Sequence, residues 1–223
     1  MSTLTDPALL RLLQLASVSL PVGGFAYSQG LEYAIDSAWV SDGDAVADWL
    51  LLQLDHGLAR TELAVIPRLH RACEQADTGT TAYWNDWLLA CRETRELHLT
   101  DIAMGEALCR LLPSVGLQPP ELAGPSAFAT AFSAAAWQWQ IPARSCALAL
   151  AWSWLENQVA AATKLVPLGQ TRAQQLLGEV QQHIPAAIEA AFGLDDDELG
   201  GSLPGLAMAS ALHETQYSRL FRS

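Results

Sequence analysis

Alanine and leucine together supply about a third of this 223-residue chain, while valine and isoleucine are sparse. Unbranched side chains lose little rotamer freedom in a helix and β-branched ones lose more, so this balance favours helix over sheet. The expected fold is all-α: a single-domain helical bundle of about ten helices over residues 1–223. Apolar residues make up 51% of the chain, ample for a sizeable core. Charged residues make up only 16%, against about 25% in a typical soluble domain, so some apolar surface is expected to meet a partner.

Breakers and periodicity divide the chain. A first helix is predicted over Ala8 to Ala16, ended by Leu20-Pro21-Val22-Gly23-Gly24. A second covers Ser28 to Ser37, and Ser41 caps a third that runs to about Gly57. Arg60 to Gln75 carries Leu63, Ile66, Leu69 and Cys73 on one face, with a kink at Pro67. Thr80 to about Leu112 is a long helical stretch, divisible in two, whose weakest interior position is Gly105. The prolines and glycines of residues 113–125 form a loop. Ser126 to Trp139 and Ala143 to Thr163 are alanine-rich and apolar on most sides, the pattern of helices at a bundle centre. Gln170 to Phe192 is amphipathic with a bend at Pro185. Residues 193–204 read as an acidic, flexible connector, and a last helix starts after Pro204.

The 12 basic residues face 24 acidic ones, for a net charge of −12, which argues against nucleic acid as a partner. The apolar run Cys146 to Leu155 is too short to cross a membrane, since about 18 residues are needed. The first residues lack the basic cluster of a secretory signal, so a cytoplasmic location is expected. Cys73, Cys91, Cys109 and Cys146 form no Cys-x-x-Cys pair and read as reduced core thiols.

The chemical motifs fail one by one. A phosphate-binding loop needs Gly-x-x-x-x-Gly-Lys-Ser/Thr, and the only lysine, Lys164, follows no glycine of that spacing. His213-Glu214-Thr215-Gln216-Tyr217 starts like a zinc helix but places tyrosine at the second ligand position. No Glu-x-x-His pair suits a di-iron bundle, and no Gly-x-Ser-x-Gly turn offers a nucleophile. The five histidines, His56, His70, His98, His183 and His213, are expected on helix surfaces or in satisfied hydrogen bonds. Arg92 and Glu96 are spaced to pair on a helix surface. No catalytic or metal residue is therefore assigned, although a helical enzyme with an unrecognised carboxylate or metal site stays open as the alternative.

The C-terminus is the informative segment, because chain ends are usually polar and frayed. Here residues 205–223 end in Tyr217, Arg219, Leu220 and Phe221, and tyrosine and arginine are typical hot-spot residues at protein interfaces. Together with His213, residues Tyr217, Leu220 and Phe221 would form one helical stripe, facing either a partner or the chain's own bundle.

Four blocks then carry a resemblance along nearly the whole length: Leu13 to Glu32 with Leu20-Pro21-Val22-Gly23-Gly24-Phe25 and Tyr27-Ser28-Gln29-Gly30; Cys91-Arg92-Glu93-Thr94-Arg95-Glu96-Leu97; Lys164-Leu165-Val166-Pro167-Leu168-Gly169-Gln170; and His213 to Ser223. In that order they resemble the urease accessory protein UreF family. The resemblance implies an all-helical homodimer that is not an enzyme. Such proteins join UreD (also called UreH) and the GTPase UreG in a cytoplasmic complex that loads nickel into apo-urease during GTP hydrolysis. Nickel, GTP and magnesium are then handled by the complex, with no cofactor bound by this chain. The resemblance also implies a C-terminal tail ordered on contact with UreD, assigning His213, Glu214, Tyr217, Arg219, Leu220 and Phe221 to that contact. Ser28, Gln29, Glu32, Arg92, Glu93 and Lys164 are carried over to the surface that receives UreG.

Overall fold

The computed structural model describes residues 4–223. Among them eleven α-helices alternate with four short 3-10 turns, without a strand. In chain order the helices are α1 (Asp6–Ala16), α2 (Leu31–Asp36), α3 (Gly43–His56), α4 (Glu62–Glu74), α5 (Thr78–Ala90) and α6 (Arg95–Leu111). There follow α7 (Phe128–Gln138), α8 (Ala143–Leu165), α9 (Gln170–Gln181), α10 (Ile184–Phe192) and α11 (Pro204–His213).

The 23-residue α8 is the axis of the bundle, about 35 Å long at 1.5 Å per residue. It packs on α1, α2, α3, α4, α7, α9 and α10. Its buried side is largely alanine (Ala147, Ala149, Ala151, Ala161, Ala162), and these small side chains let neighbouring helices approach closely. Its partner α7 is buried over Ala129 to Ala136, so the two alanine-rich stretches do form the centre.

Local capping fixes several boundaries. Asp42, not Ser41, caps α3 by accepting from Asp44 N (3.1 Å) and Ala45 N (3.0 Å). Thr94 caps α6 through Leu97 N at 3.2 Å, which divides the long stretch between Thr80 and Leu112 into α5 and α6. The second helix is shorter than predicted: Gln29 and Gly30 take left-handed φ values of 52° and 84°, so helix begins only at Leu31. Helix α4 runs on through Pro67. Pro185 does not bend one long helix but stands in the first turn of α10, where its missing N–H is no loss.

The acidic connector is pinned rather than flexible. Arg60 donates to Gly200 O (2.8 Å) and Glu198 O (2.6 Å), and Arg68 bonds Asp196 Oδ1 and Leu194 O, both at 2.7 Å. Sequence reasoning saw four acids and two glycines and missed two arginines, Arg60 in the turn before α4 and Arg68 within α4. Of the four thiols only Cys146 is a core residue; Cys73, Cys91 and Cys109 are half-buried, and all four are free.

Candidate partner-binding site

The C-terminal segment does not continue as a helix. After α11 ends at His213, residues 214–223 form turns and extended chain, so the proposed stripe is broken: Tyr217 is fully exposed while Phe221 is 5% exposed. Turns reach where a helix could not, laying the segment across α2, α6 and the bend before α2.

Two carboxylates organise the contact. Glu32, in the first turn of α2, accepts from Leu220 N (2.6 Å) through Oε1 and from Phe221 N (2.9 Å) and His213 Nε2 (3.0 Å) through Oε2. Glu96, in the first turn of α6, meets His213 Nδ1 at 2.7 Å and Arg219 at 2.6 Å. His213 is fully buried, and with Glu32 and Glu96 on its two ring nitrogens no polar atom of the ring is left without a partner.

Beyond this cluster the chain end is zipped to the bend. Arg222 N donates to Ala26 O at 2.9 Å, and Ser223 O accepts from Ser28 N, from Ser28 Oγ (2.8 Å) and from Gln29 N (3.1 Å). Ser223 Oγ pairs with Thr100 Oγ1 at 2.7 Å. Lys164 Nζ sits 5.2 Å from the centre of the Phe221 ring, within cation–π range. Buried His213 and Phe221, with Arg219, thus anchor the segment, while Glu214, Tyr217 and Leu220 project outward.

The remaining candidates lie elsewhere. Arg92 does not pair with Glu96 on a helix surface, because it stands in the α5–α6 connection. It bridges Glu62 (2.7 Å) and Asp101 (2.9 Å), and Asp101 Oδ1 also accepts Phe128 N at 2.7 Å. Burial opposes ionisation of Glu62, yet the Arg92 guanidinium, the Thr61 hydroxyl and a backbone hydrogen bond together outweigh it and hold this carboxyl below the usual range. Glu93 accepts from Ser202 Oγ at 2.6 Å. Gln29 turns inward, accepting from Trp154 Nε1 (3.1 Å) and Gln158 Nε2 (3.2 Å). A chamber of about 130 Å³ lies between these groups, lined by Gln29, Glu62, Arg92, Thr100, Asp101 and Asn157 among others. Among the described residues no group of three or more His, Cys, Asp or Glu is arranged to hold a metal ion. Not every histidine is satisfied: His70 Nε2 is buried without a partner, and burial lowers its pKa to about 4.

The UreF sequence profile matches residues 40–181. The "Urease accessory protein UreF" of Marinomonas sp. strain MWYL1 is 54% identical over 98% of this chain and 96% of its own. Those of Alkalilimnicola ehrlichii (49%, all of both chains) and Chromohalobacter salexigens (49%, 98% and 96%) are similar. The chain belongs to the UreF family. As a UreF-family protein it has an accessory role in urease maturation and is not an enzyme, which removes the alternative of a helical enzyme.

For this UreF-family chain the six residues carried over to a GTPase-facing surface do not form one patch. Ser28 and Glu32 lie buried beneath the tail, Gln29 and Arg92 face inward, and only Glu93 and Lys164 are exposed. Sequence reasoning gave Glu96 to a surface pair with Arg92 and passed over Thr100, Glu62 and Asp101, which have no local signal because their partners are nine or more residues away.

Proposed function

We propose that this chain is the adaptor of a cytoplasmic complex with UreD (UreH) and the GTPase UreG, which inserts nickel into apo-urease during GTP hydrolysis. It acts by binding, as a homodimer, and modulates UreG by direct contact. Nickel is cargo, and GTP and magnesium stay with the GTPase. The C-terminal segment is the UreD contact, with Glu214, Tyr217 and Leu220 as the contacting face and His213, Arg219 and Phe221 holding it in position. Lys164 and Glu93 supply the accessible part of the UreG surface, and Ser28, Gln29, Glu32 and Arg92 support it from below.

The observation that carries this reading is the split along the segment. The backbone of Leu220 and Phe221 is fixed by Glu32 while the Leu220 side chain stays 63% exposed and Tyr217 fully so. Aromatic and leucine side chains on a fixed backbone offer binding area at little further cost in ordering entropy. The test is capture of UreD by the full chain and by a Tyr217→Ala/Leu220→Ala variant, followed by urease activation with UreG and nickel. The variant should lose at least tenfold in UreD affinity while keeping its helical spectrum; undiminished capture and activation would refute the assignment.

A further inference from the structure

The chamber beside Arg92 is polar inside. Gln158 of α8 lines it and is 2% exposed; its Nε2 donates to Gln29, and its buried Oε1 has no donor in the protein. Thr61, Glu62, Thr100 and Asp101 add further oxygens to the wall. Buried acceptors of this kind are satisfied by water, and about 130 Å³ has room for several molecules at roughly 30 Å³ each. Water that fills such a space needs a way in.

The walls differ in what holds them. Most are helices packed into the core, but one side is closed by residues 199–203, of which Gly201 and Leu203 line the chamber. This segment spans two banks. On one, Gly200 N donates to Arg60 O (2.8 Å), and the Arg60 guanidinium donates to Gly200 O (2.8 Å) and Glu198 O (2.6 Å). On the other, Glu93 in the α5–α6 connection accepts from Ser202 Oγ at 2.6 Å and from Leu203 N at 3.4 Å. Gly201 lies so close to the end of α3 that a Cβ would stand 2.7 Å from the His56 carbonyl oxygen. Between the banks stand Gly200, Gly201 and Ser202, with no apolar side chain to anchor them. Exposed segments with few buried contacts open locally while the core stays folded.

We infer that residues 199–203 are a strap whose opening admits water and small solutes to the chamber, held on one bank by Arg60 and caught on the other by the Ser202–Glu93 hydrogen bond. The test places a reporter thiol inside: Ser153→Cys exchanges one atom of a chamber residue that is 7% exposed. Methyl methanethiosulfonate, small and uncharged, is added to the full chain carrying Ser153→Cys alone, with Ser202→Ala, or with Arg60→Met, and labelling is mapped by mass spectrometry. Cys146, fully buried on the same helix, reports opening of the whole bundle. With the strap intact the introduced thiol should react at least about a hundredfold more slowly than in the chain unfolded by urea. Each strap substitution should speed it about tenfold, with Cys146 unmodified and the helical spectrum unchanged. Equal rates in all three chains would place the entry elsewhere and overturn the strap. Labelling of the intact chain as fast as in urea would mean a mouth that stands open, and acceleration of Cys146 in step with the introduced thiol would mean unfolding of the bundle; either result would also overturn it.

Discussion

Glu32 and His213 stand 181 residues apart in sequence, and their side chains meet at 3.0 Å inside the bundle. The same carboxylate accepts the amides of Leu220 and Phe221, so a single acid of α2 fixes both the last helix and the segment after it.

Glu32→Gln should therefore loosen the chain end without unfolding the bundle. An amide has one accepting oxygen, so at least one of the three donors now on Glu32 loses its partner, and hydrogen bonds to a charged group contribute about 1.5–3 kcal/mol. Hydrogen exchange at Leu220, Phe221 and Arg222 should speed up by about ten- to a hundredfold, while amides of α7 and α8 stay protected. Unchanged exchange at these three positions would show that the carboxylate does not hold the segment.

Arg92→Ala should be strongly destabilising. It leaves Glu62 and Asp101 in a buried site without their shared cation, and breaking such a pair costs about 3–5 kcal/mol. A sign follows for pH. The Glu62 pKa is lower in the folded chain than its ordinary 4.5, so this group's stabilisation is present above pH 4.5 and is lost as pH falls through the folded value. Urea unfolding of the wild type should weaken below about pH 4.5, and in Arg92→Ala the contribution of Glu62 should shrink or reverse.

His70 contributes in a different window. Burial holds its folded pKa at about 4 against 6.5 unfolded, so between these values the unfolded chain binds the extra proton. Stability should fall as pH drops from 6.5 to 4, by at most about 3 kcal/mol, and this part should flatten below 4. His70→Phe keeps a planar ring and removes the proton site. Its urea midpoint should depend less on pH between 4 and 6.5; the same slope in both chains would place the titrating group elsewhere.

These residues also show what a sequence can and cannot disclose. The helices were legible because composition, periodicity and breakers are local, and the burial of α7 and α8 follows from their alanine content. Gly105 was visible as a weak point of a helix, but not its reason: a Cβ there would collide with the Ser126 carbonyl where α6 and α7 cross. The segment after His213 was legible as an interface by residue type. Its division into anchors and outward residues was not, because Glu32, Glu96 and Thr100 reach it from more than a hundred positions away. A helical reading of the tail failed for the same reason: tertiary hydrogen bonds to its backbone outweigh local propensity.

Lys164 brings the two kinds of information together. It is the only lysine of the chain and stands in the last turn of α8, where a cation interacts favourably with the helix dipole. The structure adds the Phe221 ring 5.2 Å from its Nζ, a contact contributing about 0.5–1 kcal/mol at an exposed position. If the ring contact matters, Lys164→Ala and Phe221→Leu should be non-additive in tail exchange and in urease activation, and Lys164→Arg, which also stacks on aromatic rings, should restore most of the loss. Helix-end electrostatics alone predicts additive effects and a change in global unfolding with no selective change at the tail. Measuring exchange, urea unfolding and activation on the wild type, both single variants, the double variant and Lys164→Arg separates the two explanations.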